Sequence, residues 1–126
     1  MQIELPESTR LWQQQVRDYV DRELIPHEVA AELNGGELPA EVMQQIQEKA
    51  ITLGLPGMDA PASHGGLGLG MVDQVAAWEV LGRATNALCW CFPEAQSWMY
   101  EACADSQYQL ETYVRPLLEG TRREAY

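Results

Sequence analysis

The stretch 53-LGLPGMDAPASHGGLGLGMVDQVAAWEVLGRA-84 decides how this chain is read. It leaves one apolar-periodic segment, places four glycines within residues 65–70, and enters a long apolar run. Glycines ahead of a helix can cradle a phosphate on the helix N-terminus, so the first question is whether they do so here. The spacing excludes it. A dinucleotide fingerprint needs G-x-G-x-x-G after a strand, and the third glycine is missing from both possible registers, at Met71 and at Asp73. A mononucleotide loop needs Gly-Lys-Ser/Thr, and no lysine lies nearby. The cluster is therefore a corner, with glycines for positive φ and close backbone contacts.

Helical periodicity flanks the corner on both sides. Upstream, residues 39–53 place Val42, Ile46, Ala50 and Leu53 on one face, with Pro39 suited to the first turn and Gly54 to the C′ cap. Downstream, residues 71–83 are apolar nearly all round, which predicts a helix buried on most sides and closed by Gly82. Nearer the N-terminus, residues 6–25 put Trp12, Val16, Tyr19, Val20 and Leu24 on one stripe. Pro26 marks an end or a kink there, and Asn34-Gly35-Gly36 a turn in the polar stretch 27–38. A fourth apolar segment, 85–103, is interrupted by Pro93. A fifth helix, 106–118, opens at Asp105-Ser106, lines its inner face with Leu110, Val114, Leu117 and Leu118, and ends at Gly120. No segment alternates with period two. The fold class is all-α, a bundle of five to six helices in a single domain over 1–126.

Composition narrows the partners. Eight basic against 19 acidic residues give a net charge of −11, which argues against nucleic acid, since phosphate binding needs clustered Lys and Arg. The same charge gives no steering toward anionic membranes. No apolar run is long enough for a membrane span, and MQIELPESTR lacks the pattern of a signal peptide. Three cysteines, Cys89, Cys91 and Cys103, suit a reducing cytoplasm and buried thiols better than a disulfide framework. Two histidines, His27 and His64, are too few for a metal centre, and His64 has no triad partners, so it is expected to pack in its turn. The pairs Asp21/Glu23 and Glu28/Glu32 read as solvated charge. No catalytic constellation is complete within the chain.

Taken as a whole, residues 53–84 resemble the N-terminal helical domain of the acyl-CoA dehydrogenase family. The matching positions are Leu53, Gly54, Gly57, Pro61, Gly65, Gly66, Gly68, Glu79, Leu81, Gly82 and Arg83. His64 stands where the family usually has tyrosine, and Val80 where it has a second glutamate. A second block, 105-DSQYQLETYVRPLLEG-120, is similar to another family helix at Ser106, Gln109, Tyr113, Pro116, Leu117, Leu118 and Gly120, with Asp105 replacing a glycine.

The resemblance implies a three-domain flavoenzyme that dehydrogenates an acyl-CoA thioester between its α and β carbons. A carboxylate base removes the α-proton, and FAD takes the hydride. This chain would be the first domain only, without the middle β-barrel and the C-terminal four-helix domain, and so without the catalytic base. Its share would be part of the acyl-chain wall, through Leu88, Cys91, Phe92, Ala95 and Met99, and a flavin contact at Tyr126. Electron-transfer flavoprotein and a homo-oligomer are implied as partners. Acyl-CoA oxidases and flavin monooxygenases share the domain. A stand-alone helical interaction module is the reading from another class. A domain cut from its neighbours should expose contiguous apolar area, for instance around 88–100, where an adapted module should be polar.

Overall fold

The computed structural model describes residues 4–89, 91 and 97–122, and every regular element among them is helical. Helix α1 (Glu7–Tyr19) does not stop at Pro26. It passes through a π turn (Val20–Leu24) and a 3-10 turn (Ile25–His27) into α2 (Glu28–Leu33). Of the end or kink expected at Pro26, the structure has an irregular passage and not an end, and the expected turn at Asn34-Gly35-Gly36 follows α2. A proline removes one N–H and drives its ring at the carbonyl four residues back. The wider turn, with Ile25 N–H donating to the Val20 carbonyl, carries the rod past that clash. Buried Ala31 then holds α2 to the core.

The same device recurs near the C-terminus. Helix α7 (Gln107–Gln109) runs through a π turn (Leu110–Val114) into α8 (Arg115–Leu118), which contains Pro116. Arg115 N–H donates to the Leu110 carbonyl. The carbonyl that Pro116 cannot serve, that of Thr112, accepts instead from the Arg122 guanidinium at 3.1 Å. Ser106 caps the start, its Oγ accepting from Gln109 N–H, as Asp105-Ser106 led one to expect.

Between these rods lie α3 (Ala40–Leu53), α4 (Met71–Leu81), α5 (Asn86–Cys89) and α6 (Ser97–Cys103). Gly54 closes α3 at φ +86°, a left-handed conformation that costs glycine nothing. Counting α1–α2 and α7–α8 as single rods gives six among the described residues, within the expected five to six. Among the described residues of 85–103 there are two short helices, and Pro93 lies outside the described residues.

The main core gathers the predicted stripes. Val16, Val20 and Leu24 from the first rod meet Ile46 and Ala50 of α3 and Ala77, Val80 and Leu81 of α4, all essentially inaccessible. A smaller cluster joins Ala60, Tyr100, Val114 and Leu117. The glycine-rich loop bridges the two, since Leu55 and Met58 belong to the first and Ala60 to the second.

Helices α1 and α4 run in the same direction, tied along their length. Thr9 Oγ1 donates to Asp73, Gln13 Nε2 to the Ala76 carbonyl at 3.1 Å and to Glu79 at 3.0 Å, and Arg83 to Asp21 at 2.9 Å. Only one side of α4 is covered by this packing. Met71, Val72 and Val75 remain 71%, 55% and 59% exposed, which corrects the expectation of a helix buried on most sides. An all-round apolar helix needs neighbours all round, and here α1 and α3 reach only the Ala76, Ala77, Val80 and Leu81 side.

Candidate functional site

The loop between α3 and α4 spends its polar backbone on itself. Leu67 N–H donates to the Gly57 carbonyl at 2.9 Å, Gly68 N–H to Ala60 at 2.8 Å, and Leu69 N–H to Met58 at 2.8 Å. Gly65 and Gly66 donate to Ala62 and Pro61. These amides are committed to carbonyls, so they do not converge on an external phosphate. Gly66 is a close-approach glycine: a Cβ there would lie 2.1 Å from the Ala60 carbonyl oxygen. At Gly57 an added Cβ would strike the tip of Leu118 at 2.5 Å. The loop is a corner, folded tightly enough that side chains are excluded from its crossings.

His64 lies exposed at the edge of that corner, its ring stacked on Tyr100 with centroids 6.2 Å apart and planes 17° apart. It packs, as its sequence context predicts. Among the described residues no group of His, Cys, Asp and Glu is arranged to hold a metal ion.

The residues expected to wall an acyl chain are distributed over both clusters. Leu88 (0% exposed) and Cys91 (2%) sit inside the main core, while Met99, half-buried, packs on the second cluster. Phe92, Ala95 and Tyr126 lie outside the described residues. Cys91 Sγ lies 3.7 Å from the Tyr19 hydroxyl, which also donates to the Ile46 carbonyl at 3.3 Å. Burial above all, and then Cys91, push the Tyr19 phenol far above its ordinary value. This polar contact inside the core links α1, α3 and the residue beyond α5. Of the other thiols, Cys89 and Cys103 are half-buried rather than fully enclosed, because they lie near the ends of short helices. Burial nonetheless pushes the Cys89 thiol up.

The acidic residues are less idle than expected. Glu28 Oε1 accepts from the Thr85 N–H at 2.7 Å, Glu23 pairs with Lys49 at 2.6 Å, and Asp21 pairs with Arg83. Glu28 thereby fixes the entry to α5 from the far end of the first rod. Local sequence hides such contacts, since Glu28 and Thr85 are 57 residues apart. An open cleft of about 330 Å³ between α1 and α3, around Lys49, Arg22 and Asp18, was equally unreadable. Glu23 and Lys49 meet across it only once the rods have packed.

No helix of the described residues is long and apolar enough to cross a membrane. Residues 6–121 match the family model described as acyl-CoA dehydrogenase, N-terminal domain. The chain is 27% identical over 125 residues to a protein of Bacillus subtilis (strain 168) named probable acyl-CoA dehydrogenase YngJ, covering 96% of this chain and 31% of that one. It is 35% identical over 83 residues to the mitochondrial short-chain specific acyl-CoA dehydrogenase of Mus musculus, covering 65% of this chain and 19% of that one. No solved structure matches. The chain thus spans about a third or less of the relatives it matches.

Proposed function

The chain belongs to the acyl-CoA dehydrogenase family through its N-terminal domain, and on that premise we propose that it serves as the first domain of an FAD-dependent enzyme that dehydrogenates acyl-CoA thioesters. The observation that carries this is the family match across residues 6–121, nearly the whole chain. The flavin, when bound, supplies the hydride acceptor. The glycine corner offers it no cradle, its amides being used internally. The cofactor would be held by the domains outside this chain, with Tyr126 as this chain's contact.

The chain's own share is apolar shape. The segment from Leu88 to Met99, with Cys91, Phe92 and Ala95 between, would form one side of the acyl-chain pocket and keep water from it. Leu88 and Cys91, enclosed in the core, would back such a wall, and half-buried Met99 retains surface to offer. Each methylene removed from water there is worth about 0.8 kcal/mol. Electron-transfer flavoprotein as acceptor, a homo-oligomeric assembly and a cytoplasmic site belong to the same reading. The exposed apolar face of α4, at residues 71–75, supports a domain made to be covered, and Trp98 within the stretch 88–100 is exposed as well.

The test compares the 126-residue chain with the complete product of its gene. The complete product is expected to carry flavin and to reduce an artificial dye when given acyl-CoA, without releasing the hydrogen peroxide an oxidase would make. The 126-residue chain alone is expected to do neither. A flavin-free, inactive complete product overturns the enzyme reading. A reading frame that stops after Tyr126 favours the interaction module, and activity in the short chain overturns the claim that its active site lies elsewhere.

A further inference from the structure

The turn Asn34-Gly35-Gly36, between α2 and α3, carries chemistry that the proposed function leaves unused. Asn34 and Gly35 are exposed, and a Cβ added at Gly35 would meet nothing within 4 Å. An asparagine followed by glycine can cyclise, because the next backbone nitrogen reaches the side-chain carbonyl carbon and no Cβ obstructs its approach. The turn is lightly held. Asn34 Nδ2 donates to the Glu37 carbonyl at 3.2 Å, and Glu37 N–H donates to the Asn34 carbonyl at 3.3 Å, both between exposed residues. Exposed bonds of this kind exchange readily for bonds to water. Asn34 has ψ 31°, so its peptide plane must swing before the Gly35 nitrogen faces the side chain. Gly35 and Gly36, at φ +67° and +90°, are free to absorb that swing.

We propose that Asn34-Gly35 is a site of spontaneous covalent modification, at which Asn34 becomes a mixture of isoaspartate and aspartate through a succinimide ring. The Gly35 nitrogen, having given its proton to base, forms a bond to Asn34 Cγ. The Cγ–Nδ2 bond breaks, and Nδ2 takes up a proton and leaves as ammonia. Water then opens the ring. Breaking the bond from the Gly35 nitrogen to Cγ gives aspartate, and breaking its bond to the main-chain carbonyl carbon gives isoaspartate. Nothing is oxidised or reduced; one water is consumed and one ammonia released. Either product puts a carboxylate in place of the donor to the Glu37 carbonyl, on a stretch that already carries Glu32 and Glu37. Isoaspartate also lengthens the main chain by one carbon. A Cβ at Gly36 would stand 3.8 Å from that of Ala87, so the altered turn lies against α5. The chain's other asparagine, Asn86, opens α5 and is followed by Ala87, so the helix fixes its backbone and a Cβ obstructs the attacking nitrogen. This inference stands on the turn and its chemistry, and does not require the enzyme reading.

The test incubates the folded 126-residue chain at neutral and mildly alkaline pH, with circular dichroism to confirm the fold, and follows tryptic peptides 23–49 and 84–122 by mass spectrometry. Peptide 23–49 is expected to gain the mass of an amide-to-acid exchange, faster as pH rises, and to accept methyl groups from an isoaspartate-specific methyltransferase. Peptide 84–122 should change at least about 10-fold more slowly. N34Q keeps the amide but needs a larger ring, so it should hold peptide 23–49 at its starting mass over the same period. Conversion seen only in denatured chain overturns the proposal, because the folded turn would then protect Asn34. Equal rates at the two asparagines overturn it too, as does aspartate formed without isoaspartate, the mark of direct hydrolysis.

Discussion

Alanine at Gly66 should damage the domain far more than alanine at its neighbour Gly65. At Gly66 the new Cβ would stand 2.1 Å from the Ala60 oxygen and 2.2 Å from the Ala60 Cβ, so about an ångström of backbone must move. That carbonyl accepts the Gly68 N–H, and the adjoining Leu67–Gly57 and Leu69–Met58 bonds share the same crossing. Overpacking costs about 1–3 kcal/mol, and each bond lost with a buried partner left over adds about 1 kcal/mol or more. The sum is about 4 kcal/mol, a large part of a small domain's stability. Gly65 has φ +90° but open space where a Cβ would go, so G65A should cost only the left-handed backbone penalty, about 1–2 kcal/mol. Urea denaturation followed by far-ultraviolet circular dichroism measures both. A G66A variant within about 1 kcal/mol of the parent, or a G65A variant as damaged as G66A, would refute the packed-corner account.

Two further outcomes follow from the core. Tyr19 is held protonated in the folded state, so its contribution is fully present below the unfolded phenol value near pH 10 and declines above it. Stability should fall by about 1.4 kcal/mol per pH unit beyond that point from this group; Y19F should flatten that slope in alkaline denaturation series while costing about 1 kcal/mol at neutral pH. L88A, at a fully enclosed site, should destabilise the chain by about 2–5 kcal/mol in the same urea assay, and a loss below about 1 kcal/mol would place Leu88 outside the core.

The helical stripes were legible because burial in a helix repeats every 3.6 residues and leaves a local record. Val16, Val20, Leu24, Ile46 and Ala50 all went where their spacing pointed. Caps were legible for the same reason: Ser106 and Gly54 act within a turn of their own positions. Pro26 left an end and a kink both open, because a proline reports the clash it causes but not the wider turn that relieves it. The carboxylates misled because a charge at the surface and a charge tied to a distant amide look alike along the chain, as Glu28 shows. Of the candidate wall, Leu88, Cys91 and Met99 are placed, in two clusters that no periodicity could have distinguished.

By itself the sequence determined the apolar stripes of the longer helices, caps such as Gly54 and Ser106, the exclusion of a nucleotide loop and the family, since each rests on spacing over a few residues. Only the tertiary structure decided which side of α4 is covered. Its composition is apolar nearly all round, and the number of neighbours available to bury it is a property of packing, not of the helix. The glycine corner divides in the same way. Its spacing ruled out a phosphate, but that Gly66 must be glycine follows from the Ala60 carbonyl lying across it, a contact made when the loop closes on itself.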